Sequence, residues 1–419
     1  MFSTQVIDTY FSLLRKALGF STSDLLTGST LNAEDMGSLI RLAQIQGTAP
    51  LVYDQLLKAD SLLPDEAQMQ LKLACMQNMM LQQEMKGVLA TAWDALSKGG
   101  GKPVLLKGFG LAMLYPQPHL RQWGDIDIYV GADGYHTAAD VLRKTFPDNP
   151  CFEEEEEYFK HWNINIGNTA IEAHRVSAIL IHPCDMRLWQ WLERDAMANA
   201  QEVEIEGMKL RIPEYRFNSL FVFLHSWHHF TESGSATMKQ LCDLALLLHS
   251  ASLLPHTSSL LSHTSSFLPH TSSFLPHTSS LFPLPSSLFP LPSSLFPLTS
   301  YLRHHLRRLR LTQVWQAYAY IMVTYLGLPA DECPLYTPKA AKRGERLLNR
   351  ILNPVRATSH TATPHTNILL RKLSTLRGKI HDSLQAWPIS PVYASHDIMG
   401  KVLEGLGRLL RGDLNRKWE

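Results

Sequence analysis

Val6, Ile7, Tyr10, Leu13, Leu14, Ala17 and Leu18 recur at i, i+3, i+4 and i+7, the signature of an amphipathic helix. Asn32 stands as an N-cap before AEDMGSLIRLAQI, with Asp35 in the first turn. A long pattern rich in Ala, Leu, Met and Gln runs from Asp65 to Leu96, and Lys98-Gly-Gly-Gly-Lys-Pro103 ends it. Its methionines (Met69, Met76, Met79, Met80, Met85) read as gap-filling core. The character then changes. VLLKG (104–108) is a short apolar run, FGLAMLY a short helix and 116–123 a loop, and GDIDIYVG (124–131) alternates with period two, as a strand does. A helix is predicted over 135–145, and the charge run 153–159 reads as a solvated strand or loop face. HWNINIG and TAIEAHRV flank Gly167-Asn168, which predicts a hairpin over 161–176. Helix is expected from Met186, a strand pair near Val203–Ile212 around Gly207, and strong helix from Arg216 to Leu248.

Residues 255–300 repeat with period seven: PHTSSLL, SHTSSFL, PHTSSFL, PHTSSLF, PLPSSLF, PLPSSLF, PLTS. Seven is the coiled-coil period, but each interior proline would cost a helix about 3 kcal/mol, so a coiled coil is excluded. A period of seven is also too short for a solenoid repeat. The segment reads as a low-complexity insertion, disordered or partly polyproline-like. Helical patterning resumes at Tyr301 and continues with breaks to the end. The expected organisation is a helical region (1–98), an α/β core (99–215), a helical segment packed on it (216–250), the insertion (251–300) and a basic helical region (301–419).

Charge sharpens this division. The formal net charge is +1, yet residues 301–419 hold 19 Lys/Arg against 8 Asp/Glu, which leaves the first 300 residues acidic. YLRHHLRRLRL concentrates Arg303, Arg307, Arg308 and Arg310, read as a solvated basic helix face or a polyanion contact. An acidic N-terminal portion argues against a nucleic-acid acceptor. The five cysteines (Cys75, Cys151, Cys184, Cys242, Cys333) show no CxxC spacing, so reduced thiols in a cytoplasmic protein are expected. The first residues lack a signal-peptide pattern, and no apolar run is long enough to suggest a membrane span.

Candidate chemistry lies in LLKGFGLAMLYPQPHLRQWGDIDIYV (105–130). Asp125 and Asp127 share one strand face, while Ile126 and Ile128 point oppositely into a core. Two unpaired carboxylates about 7 Å apart repel unless a cation sits between them, and Mg²⁺ (or Mn²⁺) is the hard ion that combines carboxylates with substrate phosphates. A solvent-facing edge strand also yields such a pair. Gly108 follows a strand-like run and precedes a short helix, so its turn can present amides to a phosphate. Lys107 and Arg121 add positive charge on either side. Glu172 and His174 share a face of a second strand, offering a third carboxylate. His225 and His229 stand at i, i+4, a chelating spacing, but without a glutamate between them or a further obvious ligand they read as packing or substrate-pocket histidines.

LLKG…LAMLYP…R-x-x-GDIDIYV followed by IEAH resembles the uncharacterised nucleotidyltransferase family of the DNA polymerase beta superfamily. HSWHHF…GSATMKQLCDLALLL (225–248) is similar to that family's helical segment, which maps Lys239 and Asp243 onto it. The turn is Lys-Gly where the superfamily has Gly-Ser, and Gly108 lies further from Asp125 than is usual there. The resemblance implies an α+β fold, with a small mixed sheet as nucleotidyltransferase core between N- and C-terminal helical regions. It implies Asp125, Asp127 and Glu172 as catalytic metal ligands, Glu172 alternatively as base, and Lys107, Gly108 and Arg121 as triphosphate contacts. His174, His229, Lys239 and Asp243 are candidates for an acceptor pocket. The implied reaction is Mg²⁺-dependent transfer from an NTP to a hydroxyl of a small molecule or protein, with no membrane partner and no oligomeric state specified. Two alternatives stand beside it: a non-catalytic nucleotide-binding scaffold, and a D-x-D glycosyltransferase, which would need alternating strands and helices where residues 1–98 read as helical.

Overall fold

The computed structural model describes residues 2–21, 31–59, 64–154, 160–232, 236–253, 298–354 and 377–410. Four helices open the chain: α1 (Thr4–Ala17), α2 (Ala33–Ile45), α3 (Ala49–Lys58) and α4 (Asp65–Lys98). The stripe read on α1 is its buried face, with Val6, Tyr10 and Leu14 fully buried. The Asn32 side chain caps α2 by accepting from the Asp35 amide at 2.8 Å. The methionine expectation fails for four residues of five. Met85 is buried, but Met69, Met76, Met79 and Met80 are exposed, because the first half of α4 packs through Leu71, Ala74 and Cys75 and these methionines lie off that face.

The central sheet has five strands: β1 (Val104–Leu105), β2 (Ile126–Tyr129), β3 (Cys151–Glu154), β4 (His161–Ile166) and β5 (Thr169–His174), in the order β1-β2-β5-β4-β3. β2 and β5 are parallel and the other pairs antiparallel, so the sheet is mixed. Between β1 and β2 lie the four-residue helix α5 (Phe109–Ala112) and a loop, and α6 (Gly131–Thr145) follows β2. The hairpin turn at Gly167-Asn168 is as predicted, with Gly167 at φ +57°. β2 begins one residue after Asp125, so Asp125 lies just before the strand instead of within it.

α7 (Pro183–Ala198) leads to the hairpin β6 (Gln201–Ile205) and β7 (Met208–Ile212), and then to α8 (Tyr215–Glu232) and α9 (Met238–Leu253). α10 (Leu298–Arg308), α11 (Thr312–Thr324) and α12 (Ala341–Leu352) follow, with two further helical stretches at residues 377–384 and Pro391–Leu410. The fold is thus α+β, a small mixed sheet flanked by helices. Buried apolar side chains form one cluster running from Val6 to Ala394, with Trp189, Trp227 and Trp315 among its largest members. α9 and α10 each run three residues into the stretch read as insertion. The remainder of that repeat and most of the 153–159 charge run lie outside the described residues. The five cysteines are unpaired, and among the described residues no helix is long and apolar enough to cross a membrane.

Candidate functional site

The pleat of β2 and β5 separates apolar from polar side chains. Ile126, Ile128, Ile171 and Ala173 are buried in the core. Asp127 pairs with Glu172 in the parallel register, and Glu172 with Asn163 across β4, so these polar side chains share the other face. His161 stands opposite His174. Once the two-residue turn at 167–168 is fixed, counting outward gives both pairs. His161 was not singled out in the sequence although this count was available.

The hydrogen bonds on that face are close. His174 Nε2 lies 3.0 Å from Asp127 Oδ1 and 3.1 Å from Glu172 Oε2, and His161 Nε2 lies 3.9 Å from Glu172 Oε1. Burial works to lower the His174 pKa, but its bonds to Asp127 and Glu172 outweigh this and raise it. Burial likewise works to raise both carboxyls. Lys107 and His174 hold Asp127 well below the ordinary range, and His174 holds Glu172 below it. Sequence reading left His174 free to meet an acceptor; here it joins the two acids.

Lys107 Nζ lies 2.9 Å from Asp127 Oδ1 and 3.0 Å from Nε2 of His225 on α8. The expectation of two unpaired aspartates therefore holds for Asp125 and fails for Asp127. His225 is half-buried, and desolvation together with the neighbouring Lys107 and His229 brings its pKa well below the usual value. His229 Nε2 is 3.1 Å from His225 Nε2. An ammonium on His225 Nε2 competes with a zinc ion for that lone pair. Gly108, at φ +67°, takes a conformation that favours glycine and brings its Cα toward the Asp125 carbonyl.

Asp125 is exposed, and its carboxylate makes no hydrogen bond or ion pair among the described residues. Desolvation by the site walls, then the negative charges of Glu172 and Asp127, push its pKa up. Lys239, half-buried at the start of α9, contributes a second ammonium facing Asp125. Burial and the nearby Arg121 and Lys107 bring its pKa down to about 8. Its Nζ lies beside Gly124.

Arg121 was expected to reach toward a phosphate. It is instead buried in a bidentate pair with Asp243 (Nε–Oδ1 2.7 Å, Nη2–Oδ2 2.8 Å), and Tyr115 Oη donates to the same Oδ1 at 2.7 Å. Asp243 is thus Arg121's counterion, and α9 is tied to the loop before β2. Arg121 Nη1 has no partner among the described residues. This pairing had no local sequence signal, because the two residues are 122 positions apart.

The structure brings together Lys107, Gly108, Asp125, Asp127, Glu172, His174, His225 and Lys239, with Arg121 and Asp243 packed beneath. Three carboxylates and two ammonium groups gathered together can hold a hard cation and an anion side by side. A family model described as "Uncharacterised nucleotidyltransferase" matches residues 32–263, more than half of the chain and every residue of this site. No curated protein and no solved structure matches. By this sequence match, the chain belongs to the uncharacterised nucleotidyltransferase family.

Proposed function

We propose that this protein transfers a nucleotidyl group from a nucleoside triphosphate to a hydroxyl of a small-molecule or protein acceptor. One observation carries the reading: Asp127 and Glu172 pair on the polar sheet face, Asp125 lies just before β2, and desolvation together with the negative charges of Glu172 and Asp127 raises its proton affinity. That excess of negative charge, and an all-oxygen donor set, fit Mg²⁺ or Mn²⁺. When bound by these three carboxylates, the cation would polarise the α-phosphate and lower the acceptor hydroxyl's pKa.

The chain's own groups supply the rest. His174 keeps Glu172 ionised, which suits a ligand better than a base. Lys107 and Lys239 offer ammonium groups to the β- and γ-phosphate oxygens, and the Gly108 turn lets the backbone come close. Arg121 adds positive potential from beneath through Nη1. The acceptor oxygen forms a bond to the α-phosphorus. The bond from that phosphorus to the bridging oxygen breaks, its electron pair leaving on pyrophosphate. The acceptor's proton passes to solvent water beside the exposed Asp125.

Lys239 gives the reading a pH signature. An ammonium binds a triphosphate and a neutral amine does not, so the group's pKa near 8 sets the limit. Affinity is expected to fall by roughly tenfold per pH unit above that point, until the raised pKa of the complex is reached. Calorimetric titration between pH 7 and 9.5 checks it, and Lys239→Met should flatten the profile.

The ion pair between Lys107 and Asp127 favours a second reading, nucleotide binding without transfer, because an ammonium then stands at a carboxylate that the cation needs. A thermal-shift screen of the four NTPs with Mg²⁺ or Mn²⁺ tests binding, since ligand at 100 Kd adds about 2.7 kcal/mol of apparent stability. Stabilisation that needs the metal, accompanied by pyrophosphate release, supports transfer. Stabilisation without turnover supports the second reading, and no stabilisation contradicts both.

A further inference from the structure

α7, within the family match, and α10, beyond it, build a second charged feature. Arg303, Arg307, Arg308 and Arg310 line a cavity of about 810 Å³ whose other wall includes Cys184, Asp185 and Leu188. A hollow of about 420 Å³ shares Cys184, Leu188 and Arg308 with it and adds Arg187 and Trp191. The two form one groove with five arginines from both sides. Such convergence is not what a solvated face on a single helix gives.

Among the described residues that line the groove, five arginines face a single acid. Asp185 is the one acid lining it among the described residues, and both its oxygens are engaged. Oδ1 accepts from Arg310 Nη1 at 3.2 Å and Oδ2 lies 2.6 Å from His396 Nε2. Arg310, at φ +60°, turns the chain back at the end of α10 and reaches Asp185 from there. The side chains of Arg187, Arg303, Arg307 and Arg308 make no hydrogen bond or ion pair among the described residues. Four free guanidinium groups around a concavity repel one another until an anion enters.

Trp191 narrows the anion's identity. It lies one helical turn beyond Arg187 and is 60% exposed, whereas Trp189, Trp227 and Trp315 are buried. An open indole beside guanidinium groups is a platform for a planar base. Arg303, Arg307 and Arg310 lie along about 10 Å of α10 and the turn after it, so they follow an extended chain of phosphates.

We propose that the α7–α10 groove binds single-stranded nucleic acid, its phosphates on the arginines and a base stacked on Trp191. Single-stranded nucleic acid fits because stacking needs a free base face. The acidic first 300 residues do not oppose this, since the groove draws most of its charge from the basic segment after 301.

The test uses the full chain and fluorescence anisotropy with labelled 12-nucleotide dT and rU oligomers over a salt series. Binding is expected with a log–log salt slope of about −3, from four neutralised phosphates. The Arg303→Glu/Arg307→Glu double variant should bind at least about tenfold more weakly. Trp191→Ala should weaken oligomer binding by about fivefold or more while leaving competition by inorganic polyphosphate unchanged. These side chains are exposed, and circular dichroism verifies that the variants fold. Absence of oligomer binding at low salt, binding untouched by the arginine changes, or a Trp191→Ala effect equal for oligomer and polyphosphate would each overturn the proposal. The last result would identify a site for polyanions in general.

Discussion

Asp125→Asn should lower metal-dependent pyrophosphate release by at least about a hundredfold while changing folding stability by no more than about 0.5 kcal/mol. The two halves of this expectation rest on different observations. Asp125 is exposed and makes no hydrogen bond or ion pair among the described residues, so an amide of the same shape costs the fold little. Its carboxylate is also the one that Glu172 and Asp127 leave most in need of a cation. Asp127→Asn is a poorer probe, because it also removes the counterion of Lys107 and a partner of His174. Activity within a few-fold of the parent in a folded Asp125→Asn protein would remove the aspartate from the chemistry.

Arg121→Ala is expected to destabilise the protein by about 3–5 kcal/mol in urea denaturation. The guanidinium and the Asp243 carboxylate are both buried, so removing one leaves the other charged and without its partner in an apolar surrounding. Burial works to lower the Arg121 pKa, but Asp243 outweighs it and holds the guanidinium protonated throughout the accessible pH range. Arg121→Met with Asp243→Leu should recover much of that loss, because the pair's desolvation cost disappears with both charges. A loss below about 1 kcal/mol for Arg121→Ala would show that the pair does not anchor α9 to the loop before β2.

These two residues also show what the sequence could and could not disclose. Asp127 was legible because a strand places alternate residues on one face, a local rule of period two, and the same rule drew attention to Asp125, which lies just before β2. Glu172, His174 and the hairpin were legible for the same reason, with Gly167-Asn168 marking the turn. Local caps such as Asn32 read correctly too. The partner of Arg121 was not legible: an ion pair across 122 residues has no periodic signature. Lys107 lies on Asp127 because a turn after β1 and helix α8 both meet the polar sheet face, and no spacing encodes that meeting. The α4 methionines misled because an amphipathic pattern shows which face is apolar, not whether another element covers it. Exposure likewise separated Trp191 from the buried tryptophans, and composition does not report exposure. The arginines of α10 were visible as a charged run; only the packing of α7 against them shows a groove.

The central claim is that Asp125, Asp127 and Glu172 hold a divalent cation next to the lysines that meet a triphosphate. Electron paramagnetic resonance of Mn²⁺, titrated with and without a non-hydrolysable nucleoside triphosphate, tests it most directly. Mn²⁺ should bind the parent protein more tightly when the triphosphate is present, and Asp125→Asn/Glu172→Gln should abolish that enhancement while remaining folded. Equal Mn²⁺ binding by parent and variant, in the presence of the triphosphate, would contradict it.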